Sequence, residues 1–251
     1  MNSEALSVII FALVLGGVFI GSFLRRALPH HHLSKDSQEV VRLGVGLIAT
    51  ISALVLGLLI AAAKGSFDTQ SGQVKQITAD IILTDDLMAE YGPAARPIRQ
   101  QIRATLGGFV DRLWREQKQQ TARPYEADAT AEKVYLAILA LAPQDETQKA
   151  LQSRAVQVIN DLAQTRLLLF AEANSAIPVP FIAILVFWLV IIFASFSLFA
   201  ALNPTTFSFL CVFALSAACA MFLILELSQP FRGLLMIPSA PLRAALAPLA
   251  P

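Results

Sequence analysis

Four long apolar runs, set apart by polar ground, lay out the plan of the chain. Ala5–Leu24, Leu43–Ala63, Val179–Leu202 and Thr205–Leu225 contain no Asp, Glu, Lys, Arg or His. A hydrocarbon core ~30 Å thick needs about 20 apolar residues in a helix, because lipid offers the backbone no hydrogen-bond partner. All four runs meet that length, so each is predicted to be a transmembrane helix. The first is expected to be a retained helix rather than a cleaved signal peptide. "MNSE" carries no positive charge, and no small-x-small site precedes "RR".

Between the second and third runs the pattern changes to helical amphipathicity. Val74, Ile77, Ile81 and Met88 recur at helical spacing, as do Ile102, Leu106, Phe109 and Leu113, and Leu151, Ala155, Val158 and Leu162. "YGP" at 91–93 reads as a helix stop and "QKQQTARPYEAD" at 117–128 as a loop. No sustained alternation supports a sheet. "AAAKGSFDTQ" carries the second apolar run into this region with one glycine as its only breaker, so the helix is expected to continue. "AIPVPF" at 176–181 marks re-entry into the third run, and "NPTT" at 203–206 reads as a tight turn that makes neighbours of the last two helices.

The predicted fold is all-α: an integral membrane protein with four transmembrane helices and a helical extramembrane insertion between the second and third. Residues 1–63 form a transmembrane hairpin, 64–177 the helical domain and 178–228 a second hairpin. Residues 229–251 form a proline-broken tail, expected either to lie at the membrane interface with Arg232 and Arg243 or to be partly ordered.

Composition agrees with that plan: 56% of the 251 residues are hydrophobic and 15% charged, against about 45–50% and about 25% in soluble domains. The polar stretch from Lys64 to Ser175 holds 13 basic and 14 acidic residues, and the chain's net charge is +1. No nucleic-acid partner is expected. Cys211 and Cys219 lie eight residues apart on one apolar run, about 12 Å along a helix and too far for a disulfide.

All three histidines sit in the first link, "LPHHHLSKDSQEVVRLG" at 28–44. Adjacent side chains diverge, so His30 and His32 are the only pair that could share a metal ion. The polar-elbow reading explains more of the residues. Ser34 or Asp36 caps the second helix, with Glu39 three residues beyond Asp36 as in a capping box. No metal or cofactor is expected. Nor is enzymatic activity, since Ser34, Asp36 and Ser37 beside the histidines are not a triad without geometry.

The second run carries the most specific pattern. Ala49, Ala53, Gly57 and Ala61 fall four apart, with Gly46 and Thr50 close by, and the run has no aromatic residue. In lipid, such a ridge lets helix backbones approach. The principal reading is helix packing, with Gly16, Gly17 and Gly21 of the first helix as a matching surface. The other is a pore lining in which the hydroxyls of Thr50 and Ser52 face water. The absence of intramembrane charge argues against proton coupling, Glu226 being the nearest candidate and better placed for an interfacial role.

"HHLSKDSQEVVRLGVGLIATISALVLGLLIAAAKGSFD", "YGPAARPIRQQIR" and "LILELSQPFRGLLMIPSAPLRAALAPL" together resemble the bestrophin-like domain family of bacterial membrane proteins. The family pattern runs through His32, Ser34, Val40, Leu43, Gly46, Gly57, Lys64 and Phe67. The resemblance implies a distant relation to bestrophins, which are oligomeric ion channels with four membrane helices per subunit. Bestrophins narrow their pore with bulky and aromatic residues on the second helix; this helix lacks aromatics, and no pore residue is carried over.

Orientation is read two ways. Arg25, Arg26, Lys35 and Arg42 place the first link in the cytoplasm and the helical domain outside; the resemblance implies the reverse. The expected protein is a multi-pass bacterial inner-membrane protein, structural or sensory, whose helical domain binds an unknown protein partner. The alternative is an oligomeric bestrophin-like channel. The lipid bilayer and further copies of the same chain are the other expected partners.

Overall fold

The computed structural model describes residues 3–29, 34–104, 129–173, 179–200, 203–231 and 233–246. Its elements are α1 (Ser3–Ala27), α2 (Lys35–Tyr91), a 3-10 turn (Pro93–Ala95) leading into a helical segment at 96–104, α3 (Ala129–Leu139), α4 (Glu146–Ala173), α5 (Val179–Phe199), α6 (Pro204–Leu227) and α7 (Ala240–Leu246). No strand occurs among the described residues. Four helices, α1, α2, α5 and α6, are long and apolar enough to cross a membrane. The four predicted spans lie on them, although α5 ends at Phe199, before the predicted Leu202.

The chain divides into two compact units, Met1–Ser66 with Ala176–Gln229, and Phe67–Ser175 with Pro230–Pro251. In the first unit α1 is the central packing element and lies against both α5 and α6. Its buried residues Ile10, Val14, Gly17, Val18 and Gly21 recur at three, four and seven. The last two helices are joined by a short link, yet close backbone packing among the described residues is made by α1 to each of them. "NPTT" is not a free turn: Asn203 stands at the N-cap and Pro204 is the first residue of α6, a position where the missing N–H of proline costs nothing.

Glycine explains the contact between α1 and α5. A Cβ at Gly17 would stand 2.7 Å from the carbonyl oxygen of Val190. One at Gly21 would overlap the carbonyl oxygen of Ala194 and the hydroxyl of Ser197. Pairing rises in step along both helices, so they run parallel. The run of α6 is opposite: Ser3 near the start of α1 donates to Glu226 near the end of α6 at 2.6 Å, and Phe19 meets Phe207 at a centroid distance of 6.2 Å. Gly17 and Gly21 thus match α5 rather than the ridge of α2, and Gly16 has nothing within 4 Å of where its Cβ would stand.

In the second unit, α2 continues without a break as one helix of 57 residues, about 85 Å long at 1.5 Å per residue. It stops at Tyr91, where Gly92 takes φ 109°, a left-handed conformation that suits a residue without a side chain. The Gln148 amide donates to the Tyr91 carbonyl at 3.2 Å, satisfying one acceptor left open by the helix end. α4 is capped by Asp145, whose Oδ1 accepts from the Gln148 N–H at 2.7 Å, while Gln148 Oε1 accepts from the Gln144 N–H at 2.8 Å. The core collects Val74, Ile77, Ile81 and Met88 from α2, Ile98 and Ile102 beyond the corner, Ile138 of α3, and Ala155 and Leu169 of α4. Leu151 and Leu162 of the predicted third stripe pack at its margin. Leu106, Phe109, Leu113 and the loop at 117–128 lie outside the described residues.

The tail contributes to this unit. Phe231 and Ile237 are buried in this same helical core, and Leu242 of α7 is buried as well. Prolines break its periodicity, but single large apolar residues between them still remove surface from water.

Candidate functional site

The small-residue ridge on α2 is described along its whole length, and it points outward. Gly46, Thr50, Ala53, Gly57 and Ala61 are exposed and Ala49 is half-buried. Among the described residues, nothing lies within 4 Å of where a Cβ at Gly46 or Gly57 would stand. The opposite side carries the buried residues Val45, Ser52 and Ala63. At 100° per residue these three share one face, while Gly46, Thr50, Ala53, Gly57 and Ala61 share another. A third strip, Val40, Leu43, Leu47, Leu54 and Leu58, is exposed and bulky. The outward half of the helix is therefore divided into a shallow strip and a leucine-rich strip.

Thr50 and Ser52 accordingly do not line one surface. Thr50 is exposed, and its hydroxyl is satisfied by the Gly46 carbonyl at 2.9 Å. Ser52 is buried on the other face, with no hydrogen-bond partner for its Oγ among the described residues. At this phase the two hydroxyls stand on opposite sides of the helix.

Of the family-pattern positions, Ser34 caps α2. Its carbonyl accepts the Gln38 N–H at 2.9 Å and its Oγ the Ser37 N–H at 3.4 Å, with the two serine hydroxyls 3.0 Å apart. Asp36 lies in the first turn, where its charge suits the helix dipole, so Ser34 rather than Asp36 is the cap. Phe67 packs against the helical core and Lys64 is exposed. His30, His31 and His32 lie outside the described residues. Among those described, no group of three His, Cys, Asp or Glu side chains is arranged to hold a metal.

Three acidic residues are buried against expectation. Glu226 is buried at the end of α6 and accepts from Ser3. Asp85 is held by Arg99 through a fork, Nε to Oδ1 at 2.9 Å and NH2 to Oδ2 at 2.6 Å, with an NH2 of Arg103 at 3.7 Å. The Asp85 hydrogen bond raises the basicity of Arg99 further. Asp80 is 6% exposed, accepts from Gln76 at 2.8 Å, and has no partner for its second oxygen among the described residues. Phase is the signal that could have found the last two: Asp80 and Asp85 fall in the same helical sector as Ile77, Ile81 and Met88, where only apolar residues are expected.

Burial raises the pKa of Asp80 above the ordinary carboxylate value; the Gln76 hydrogen bond opposes this and the charge of Asp161 adds to it. A raised folded-state pKa means that the folded protein binds the proton more tightly than the unfolded chain. Stability from this group is therefore complete below the unfolded pKa and is lost as pH rises through the folded one. Asp80→Asn should remove that loss, raising the melting temperature at neutral pH relative to the native protein by the equivalent of about 1 kcal/mol. At acidic pH the two should melt alike. Equal melting at both pH values would show that Asp80 sheds its proton without cost.

No curated protein and no solved structure matches the chain. A family model, the Bestrophin-like domain, matches residues 11–242, from within α1 to within α7. The match takes in most of the first candidate span, the other three whole, the helical unit and the part of the tail that packs into it, and the chain belongs to the Bestrophin-like domain family.

Proposed function

We propose that this membrane protein works as a homo-oligomeric, channel-like assembly of the bacterial inner membrane, in which α2 is the element that meets neighbouring copies. The observation that carries the reading is the exposure of α2. Only 11% of its most apolar window is buried within the chain, against 33%, 22% and 33% for α1, α5 and α6. A shallow ridge facing lipid gains little, because lipid tails are as apolar as the side chains they would meet. Against another helix the same ridge permits close backbone contact and dispersion gain. The bulky strip beside it suits lipid. Family membership supports the oligomer, and neither catalysis nor a cofactor is called for.

The test is Gly57→Leu together with Ala53→Leu. Each protomer should stay folded, since Ala53 and Gly57 are exposed and no described atom lies within 4 Å of where a Cβ at Gly57 would stand, while the oligomer measured by native mass spectrometry from lipid discs should fall apart. Ion flux into liposomes should be present in the native protein and lost in the variants. A native protein that is monomeric in lipid would overturn the reading.

A second reading, structural or sensory, is favoured by Leu136 and Leu139 of α3, which are large, apolar and exposed on the helical unit. Native oligomers that pass no ion, combined with capture of a defined protein by the helical unit and its loss in Leu136→Ser, would support it instead. A cysteine placed at exposed Lys149 and labelled only after the inner membrane is opened would put this unit in the cytoplasm.

A further inference from the structure

Beyond α6 the chain closes back on itself, the Ile237 N–H donating to the Pro230 carbonyl at 2.6 Å. Phe231 and Ile237 anchor the two ends of this loop in the helical core. Between them Gly233 takes φ 84°, turning the chain so that the next three residues stand at the tip. These are Leu234, Leu235 and Met236, exposed by 75%, 42% and 53%. Three consecutive large apolar side chains held outward by a buried base are an expensive surface to leave in water.

We propose that this tip inserts into the bilayer surface that α6 has just left. Chain length limits the alternatives: α6 ends at Leu227 and the loop starts at Pro230, so Leu234 is seven residues beyond the span, within about 25 Å even if fully extended. Phe67, four residues beyond Ala63 at the end of the apolar run of α2, packs against the core cluster that holds Phe231 and Ile237. Leu167 and Leu168 of α4, beside the buried Leu169 of that cluster, are likewise exposed shortly before the chain re-enters the third span. Exposed apolar residues tethered this closely to a span suit the boundary between headgroups and acyl chains. The loop then acts as a lipid-seated foot for the helical unit, separate from any contact made by α2.

The experiment uses the full chain with both native cysteines replaced by alanine and a single fluorescent label at Met236→Cys. The protein is reconstituted in vesicles of phosphatidylcholine and phosphatidylglycerol. Nitroxide groups on the lipid chains should quench this label as strongly as one at Val212→Cys, an exposed position on α6, whereas aqueous iodide should quench it far less than a label at Lys149→Cys. Leu234→Asn with Leu235→Asn should restore iodide quenching at position 236 while leaving helix content unchanged. Iodide quenching equal to that at Lys149 in the native loop would overturn the proposal. So would protection from both quenchers, which would mean that protein, such as a second copy, covers the tip.

Discussion

Gly21→Leu is expected to disrupt the membrane unit, at a cost of about 3 kcal/mol, and to leave little monodisperse protein after detergent extraction. Even a methyl group at this position would overlap the Ala194 carbonyl oxygen and the Ser197 hydroxyl. The serine side chain can rotate, but it already donates to Ala194 at 3.1 Å and to Phe193 at 3.3 Å. The carbonyl belongs to a helix and can move only with it. Parallel α1 and α5 would have to separate, and Gly17, which already brings α1 close to Val190, would lose its contact at the same time. Membrane helices have no strong hydrophobic drive to reassociate, so packing lost here has little to replace it. Gly16→Leu is the control. It adds the same bulk on the same helix where no atom lies within 4 Å, and should extract and melt as the native protein does. If both leucine variants behave alike, close approach at Gly21 is not what holds α1 in place.

That pair of glycines also shows where sequence reasoning stops. Length and lack of charge were sufficient to locate the spans, because lipid forces a helix to satisfy its own backbone whatever its neighbours are. Periodicity located the core of the helical unit, since Val74, Ile77, Ile81 and Met88 are all buried. The stop at Gly92 followed from its residue type and from Pro93. Small residues, by contrast, say that a helix can come close without saying which helix does. Gly17 and Gly21 went to α5, while the more regular ridge of α2 was left outward. The tail was obscured for a different reason. Phe231 and Ile237 belong to no regular element, so no period announces their burial. Ser52 and Thr50 looked equivalent as nearby hydroxyls, yet two residues place them about 200° apart around the helix.

Asp85→Ala should destabilise the helical unit by about 2–3 kcal/mol, less than the 3–5 kcal/mol of a fully buried broken pair. The discount follows from exposure: the Asp85 side chain is 1% exposed, whereas Arg99 and Arg103 retain 28% and 26% and can recover some hydration. The carboxylate sits on α2 six residues before its end at Tyr91, and Arg99 reaches it from beyond the Gly92 corner. The fork thus ties together two helical pieces whose shared apolar surface includes Met88, Ile98 and Ile102. Its geometry matters as well as its charge. Arg99→Lys would keep the charge but lose the two parallel hydrogen bonds, and should destabilise by roughly half as much as Asp85→Ala. Arg103 is not a substitute, because its nitrogen lies 3.7 Å from Oδ2, beyond hydrogen-bonding distance. A double-mutant cycle with Asp85→Ala and Arg99→Ala, followed by heat denaturation of the purified protein, isolates the pair from the cost of each single truncation. A coupling energy near zero would mean that apolar packing alone holds the corner, and that the buried carboxylate is only tolerated.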